Sequence, residues 1–177
     1  EAAEAVLAEA PDRFARAGEL VAVDGPLVKT RVHGDYHLGQ VLWQENDFVI
    51  LDFEGEPGRP LSERRAKQSP LKDVAGMLRS FDYAAYSELL IFTADGYERF
   101  EKLTPWARVW RAWTSAAFLG GYREAAEPDV LPGSADALTR LLDFFGMQKL
   151  MWVLHFELNL RPDGELVPQL GILDRIR

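Results

Sequence analysis

Two short acidic segments constrain this chain more than any other feature. They are His33-Gly34-Asp35-Tyr36-His37-Leu38-Gly39-Gln40 and Leu51-Asp52-Phe53-Glu54, and an apolar run leads into each. Leu27 to Val32 feeds the first, and Phe48 to Leu51 delivers Asp52. Apolar, β-branched runs bounded by turn residues read as strands, so two carboxylates are expected on neighbouring strand ends. Val41 to Trp43 is a third short run, and the polar turn Gln44-Glu45-Asn46-Asp47 joins it to Phe48–Phe53 in a hairpin. The three runs predict a small antiparallel sheet.

Paired carboxylates of this kind suit phosphoryl transfer, in which the protein mainly positions and neutralises. One acid accepts the proton of an attacking hydroxyl, and the other, with a polar helper, holds Mg²⁺ on nucleotide phosphates. Asp35 is followed, after four intervening residues, by the amide of Gln40, and Asp52-Phe53-Glu54 comes next. Taken singly, either segment is weak, because Asp at a strand end also caps turns. Their order and spacing make the pair specific. Gly34 and Gly39 allow tight bends around Asp35, and a purely structural turn is the competing explanation.

The pattern H-G-D-x-x-x-x-[NQ] followed by D-F-E resembles the H-R-D-x-x-x-x-N and D-F-G motifs of kinases. It resembles more particularly the aminoglycoside phosphotransferase-like branch of the kinase fold, whose members phosphorylate small molecules. The wording H-G-D-Y-H-L-G-Q-V-L-W, L-D-F-E-G-E-P, S-P-L-K-D-V-A-G-M and E-L-N-L-R-P is similar to maltokinase, from about Val28 to Pro162. That resemblance implies transfer of a phosphoryl group from ATP to the anomeric hydroxyl of maltose, giving maltose 1-phosphate. It makes Asp35 the catalytic base and Gln40 and Asp52 the Mg²⁺ ligands. His33 becomes a structural brace, and Asp73 a brace for the catalytic loop. Glu54 replaces the glycine of D-F-G and would touch a second metal or the acceptor. Gln in place of Asn keeps a hard oxygen ligand, one methylene further out.

A kinase of this type also needs a glycine-rich phosphate loop and a strand lysine, and neither pattern occurs in the chain. Residues 1–177 are therefore expected to be the C-terminal lobe alone, without the nucleotide-binding lobe, and inactive or very poor at catalysis in isolation. Residues 1–21 read as a helical segment interrupted at Pro11, with Leu7, Phe14 and Leu20 as core contacts.

Gly55 to Pro70 is rich in Pro, Gly and charge and reads as a loop beside the site. Its Arg64-Arg65 cluster either approaches a phosphate or forms a solvated face with Glu63. Ser69-Pro70 starts a helix with Leu71, Val74, Leu78, Phe81 and Ala85 on its buried stripe. Thr104-Pro105 starts another, whose Trp106, Val109, Trp110 and Trp113 read as core packing. Ser134 caps a long helix running to about Asn159, with Leu138, Leu141, Leu142, Phe145 and Leu150 buried. A disaccharide site wants an aromatic face and paired hydrogen-bonding groups. Lys149, Glu157 and Asn159 are the candidates for acceptor recognition, followed by Arg161 and Trp152; salt bridging and helix termination are the plain alternative for all five. Leu166 to Arg177 reads as a short closing element. The expected fold is α+β and mainly α, with helices packed on a small antiparallel sheet.

Composition narrows the class further. At 177 residues the chain is about one domain. A net charge of −8 argues against a general nucleic-acid surface. The absence of cysteine excludes disulfides and thiol catalysis, and the three histidines show no H-E-x-x-H spacing. No apolar run approaches the ~20 residues of a membrane span, and Glu1-Ala2-Ala3-Glu4 lacks the basic start of a secretory signal; a cytoplasmic location is the default expectation. Two other readings stay open. One is a kinase of the same fold with another acceptor, such as an aminoglycoside, choline or homoserine. The other is a catalytically silent binding lobe.

Overall fold

Leu71, Val74, Phe81, Ala85 and Leu89 recur every three to seven residues and are all buried, so the helix that carries them lies at the centre of the structure. The computed structural model describes residues 27–94 and 96–160, with side chains as far as Val153. These comprise a 3-10 turn (Leu38–Gln40), strands β1 (Val41–Gln44) and β2 (Asp47–Ile50), and helices α1 (Leu61–Arg65), α2 (Leu71–Phe92), α3 (Tyr97–Ala125) and α4 (Ala135–Leu160). The described residues are thus mostly helical, with a small antiparallel two-stranded sheet. No described helix is long and apolar enough to cross a membrane.

Helix α2 packs against both α3 and α4. Near its start, Leu71, Val74 and Leu141 form a buried cluster extended by Leu78, Phe118, Leu138 and Phe145. Near its end, Tyr86 and Leu89 pack with Phe100, Leu103 and Ala107 of α3. Each large apolar side chain buried in this way contributes about 2 kcal/mol, so the site is mounted on the best-anchored element of the fold. Asp82 of α2 also pairs with Arg111 of α3 at 3.2 Å.

The hairpin has the expected turn. Gln44 pairs with Asp47, and Glu45 and Asn46 both take positive φ, 49° and 65°, the backbone that matches the twist of a two-residue hairpin. Leu27–Val32, in contrast, does not become a third strand. Among the described residues it makes only an isolated bridge, Thr30 N–H to the Gln68 carbonyl at 2.9 Å and Gln68 N–H back at 3.0 Å. The segment has found one residue pair in the loop before α2 rather than a sheet edge.

Two further expectations are corrected. Helix α3 begins at Tyr97, not at Thr104, and Pro105 lies inside it. The turn before Pro105 stays helical because Phe100 and Leu103 are held against Tyr86 and Leu89, and the Thr104 hydroxyl donates to the Phe100 carbonyl at 2.7 Å. Trp106, Val109, Trp110 and Trp113 do share a helix face, but that face is exposed, with Trp106 at 72% and Trp113 at 76%. The face that packs is the other one, carrying Phe100, Leu103, Ala107, Phe118 and Tyr122. Periodicity alone finds a stripe without saying which side meets a neighbour.

Ser134 acts as expected: its Oγ accepts from Ala137 N–H at 3.1 Å, at the start of α4. Ser69 Oγ lies 3.4 Å from the Leu71 N–H, and helix α2 begins at Leu71. The expectations for residues 1–21 and 166–177 lie outside the described residues.

Candidate active site

The site grows from the start of α2. Asp73, in the first turn, accepts from His33 N–H at 2.6 Å and Gly34 N–H at 2.9 Å, so one carboxylate pins the loop that leads into Asp35. Two glycines then bring the acidic segments together. Gly34 has φ +85° and Gly55 φ +79°, and a Cβ on Gly34 would sit 3.2 Å from the Gly55 Cα. Only glycine adopts these angles without strain while allowing such a close approach.

His33 completes the brace. Its Nδ1 accepts from Asp35 N–H at 3.3 Å, which leaves the proton on Nε2 to donate to the Leu51 carbonyl at 2.6 Å. The ring also lies 4.9 Å from that of Phe53. His33 thus ties the Asp35 loop to the segment carrying Asp52. Asp52 takes the left-handed backbone, φ 59°, a conformation that costs a non-glycine residue about 1 kcal/mol or more. The Leu51 N–H to Gln40 carbonyl bond at 2.9 Å and the Gln40 Nε2 to Asp52 Oδ2 bond at 3.1 Å hold it there.

Asp35 is joined to α4. Lys149 Nζ donates to Asp35 Oδ1 at 2.7 Å and, in a short bond, to Glu56 Oε1. Burial alone would push the Lys149 ammonium down. The Glu56 charge and the Asp35 hydrogen bond outweigh it and hold its pKa above the ordinary lysine value. Glu56 is buried and also accepts from Arg59 Nε at 2.8 Å. The Arg59 guanidinium reaches Glu63 at 3.3 Å and stacks 4.4 Å from the Trp152 ring. Asp35, Glu56, Arg59, Lys72 and Lys149 line a narrow cleft floored by Gly76. Lys72 is held below its ordinary value, first by burial and then by Arg59.

The structure therefore joins Gln40 to Asp52 and Asp35 to Lys149, with His33 and Asp73 bracing the backbone between them. Glu54 stays exposed; its carbonyl accepts from Arg64 Nη1 at 3.2 Å, and its carboxylate lies 3.9 Å from Arg64. Arg64 is thus engaged in holding this loop. His37 accepts locally from Gly39 N–H at 3.1 Å. One face of Trp152 is taken by Arg59. Glu157 and Asn159 fall on the backbone of α4, their side chains outside the described part, and Arg161 lies outside the described residues. Sequence reasoning missed Glu56 and Arg59 as site residues. The signal was a second glutamate two residues after Glu54, with an arginine three residues further on.

Gln40 and Asp52 fit a magnesium ion. Their mutual bond uses one carboxylate oxygen and the amide nitrogen, so each side chain retains a hard oxygen donor. Mg²⁺ typically takes one or two such protein groups and completes its shell with phosphates and water.

Gly76 links the helix to the loop. A Cβ there would come within 2.7 Å of the Tyr36 carbonyl oxygen, so Gly76→Ala must push the segment between Asp35 and Gln40 outward. The expected cost is about 1–3 kcal/mol, read as a lower denaturation midpoint at unchanged m-value.

No protein-family profile matches the chain. A glucosamine kinase of Streptacidiphilus jiangxiensis is 35% identical over 106 residues, 59% of this chain and 22% of its own length. One from Mycolicibacterium smegmatis (strain ATCC 700084 / mc(2)155) is 44% identical over 63 residues, 32% of this chain and 16% of its own length. Among solved structures, a glucosamine kinase in crystal form B superposes with a TM-score of 0.76 at 27% identity, covering 99% of this chain and 40% of that one. A glucosamine kinase in complex with glucosamine, ADP and inorganic phosphate gives 0.72 at 26% identity, with coverage of 99% and 40%. The chain spans about a fifth of the length of the curated relatives it matches and two-fifths of the solved structures. Its homologues and structural neighbours are glucosamine kinases, and they do not support maltokinase in particular.

Proposed function

We propose that this chain forms the acceptor- and metal-binding lobe of an ATP-dependent sugar kinase whose acceptor is glucosamine. The observation that carries the proposal is the likeness, over 99% of the chain, to a glucosamine kinase holding glucosamine, ADP and inorganic phosphate. The arrangement around Asp35 agrees with it. In this reading Asp35 accepts the proton of the acceptor hydroxyl as that oxygen bonds to the γ-phosphorus. The bond from phosphorus to the oxygen of ADP breaks, and ADP leaves with it. Gln40 and Asp52 would hold Mg²⁺, which when bound would neutralise charge on the phosphates. Asp73 and His33 keep the Asp35 loop in register with Asp52. A cytoplasmic setting, where ATP is available, belongs to the same proposal.

Maltose is the second reading, favoured by the wording of residues 33–43 and 51–57. The test is an acceptor screen with the full-length protein carrying its nucleotide-binding lobe. Glucosamine should give the highest kcat/KM, with maltose at least tenfold lower. Preference for maltose, choline or an aminoglycoside would overturn the acceptor assignment and leave the chemistry standing. Sugar binding without turnover would favour a silent binding lobe.

A further inference from the structure

Asp35 has two carboxylate oxygens in different surroundings. Oδ1 is taken by the Lys149 ammonium at 2.7 Å. Oδ2 makes no hydrogen bond among the described residues, and the nearest basic group recorded for it is His37 Nε2 at 3.9 Å. A base needs one oxygen open to the hydroxyl and aimed at it; swapping the two equivalent oxygens changes nothing, but tilting the carboxylate plane would spoil that aim. The Lys149 ammonium on one oxygen sets the plane, and its own position is not fixed by Asp35 alone. The ammonium is shared with Glu56, whose side chain is only 7% exposed and whose other oxygen is held by Arg59 at 2.8 Å. Arg59 is in turn seated on Trp152 of α4 and on Glu63. Glu56 follows Gly55, which packs on Gly34 next to Asp35.

We infer that Glu56 is a positioning residue: anchored by Arg59, it holds the Lys149 ammonium on Asp35 Oδ1 and so keeps Oδ2 turned to the acceptor hydroxyl. The inference rests on the kinase reading for its catalytic consequence, but the geometry it asserts can be tested without turnover. Without the Glu56 charge, Lys149 is a buried cation with one partner rather than two, and it spends more time neutral and unpaired. A buried lysine that loses its charge becomes a nucleophile toward acylating reagents.

The experiment compares Glu56→Gln, Glu56→Asp and Arg59→Gln in the full-length protein by two readouts. One is the rate at which acetic anhydride labels Lys149, followed by mass spectrometry; the other is kcat and KM for acceptor and ATP. Glu56→Gln should raise Lys149 labelling at least tenfold and lower kcat at least tenfold, with KM for ATP within twofold of wild type. Glu56→Asp, which keeps the charge, should lie between the two and remains informative where Glu56→Gln folds poorly. Arg59→Gln should change labelling less than Glu56→Gln. Unchanged Lys149 labelling in both Glu56 variants would overturn the inference and leave Glu56 as a loop staple. Wild-type labelling and wild-type kcat in Arg59→Gln would overturn the anchoring of Glu56 by Arg59. If the wild-type protein phosphorylates no sugar, the kinase reading falls, and the labelling comparison still decides whether Glu56 holds Lys149.

Discussion

Asp35→Asn in the full-length protein should lower kcat by about 100- to 10,000-fold, the range general-base catalysis contributes, with little change in KM for ATP. The substitution is nearly isosteric and retains an oxygen for Lys149, whose bond to Oδ1 is 2.7 Å. Asp35 carries no part of the loop brace through its side chain. That work is done by Asp73 on the His33 and Gly34 amides and by His33 on the Leu51 carbonyl, so the variant should fold. Steady-state kinetics together with a thermal melt separate the two effects. A kcat within tenfold of wild type, in a folded variant, would remove Asp35 from the role of base.

Lys149→Met should be the most destabilising single change at the site. It leaves Glu56 and Asp35 facing each other in a cleft where Lys149 is 19% exposed and Glu56 7%. Breaking a buried pair by removing one partner costs about 3–5 kcal/mol. Because Arg59 still holds Glu56 at 2.8 Å, the lower end, about 3 kcal/mol, is expected, or a Tm shift on the order of 10 °C. The pH dependence has a definite sign. The folded-state pKa of Lys149 is raised above 10.5, so its stabilisation is present in full below that value and is lost as pH rises through the higher folded value. Denaturation curves should therefore show the gap between wild type and Lys149→Met constant from pH 7 to about 10 and closing above it. A gap that stays constant as pH rises above about 10 would contradict the ion-pair account.

How much of this could be read from the residues themselves depended on whether a signal was local. The α2 stripe of Leu71, Val74, Phe81 and Ala85 was legible because a helix records its buried face at regular spacing, and the Ser134 cap because one side chain meets an amide three residues on. The hairpin turn at Glu45-Asn46 was equally local. The exposed tryptophan stripe of α3 was misjudged because two apolar faces on one helix compete for a single neighbour, and only tertiary packing chooses. Leu27–Val32 had the composition of a strand but no long partner to pair with. Within the site, the family resemblance implied that Asp73 braces the catalytic loop and that Gln40 and Asp52 act together; the bonds that the structure shows are Asp73 to the His33 N–H and Gln40 to Asp52. Glu56 and Arg59 were not anticipated, because their meaning comes from Lys149, 93 residues away from Glu56. The acceptor expected from the wording of the motifs was maltose, whereas the relatives found are glucosamine kinases. Motifs that suit phosphoryl transfer say little about which acceptor a protein takes.

The placement of the indoles also affects how this protein can be watched in solution. Trp43, Trp106, Trp110 and Trp113 all face water, so their emission should already be red-shifted in the native state and should change little on denaturation. Trp152 alone lies beneath a guanidinium, that of Arg59. With the other four replaced by phenylalanine, its fluorescence would report on the Arg59 contact alone.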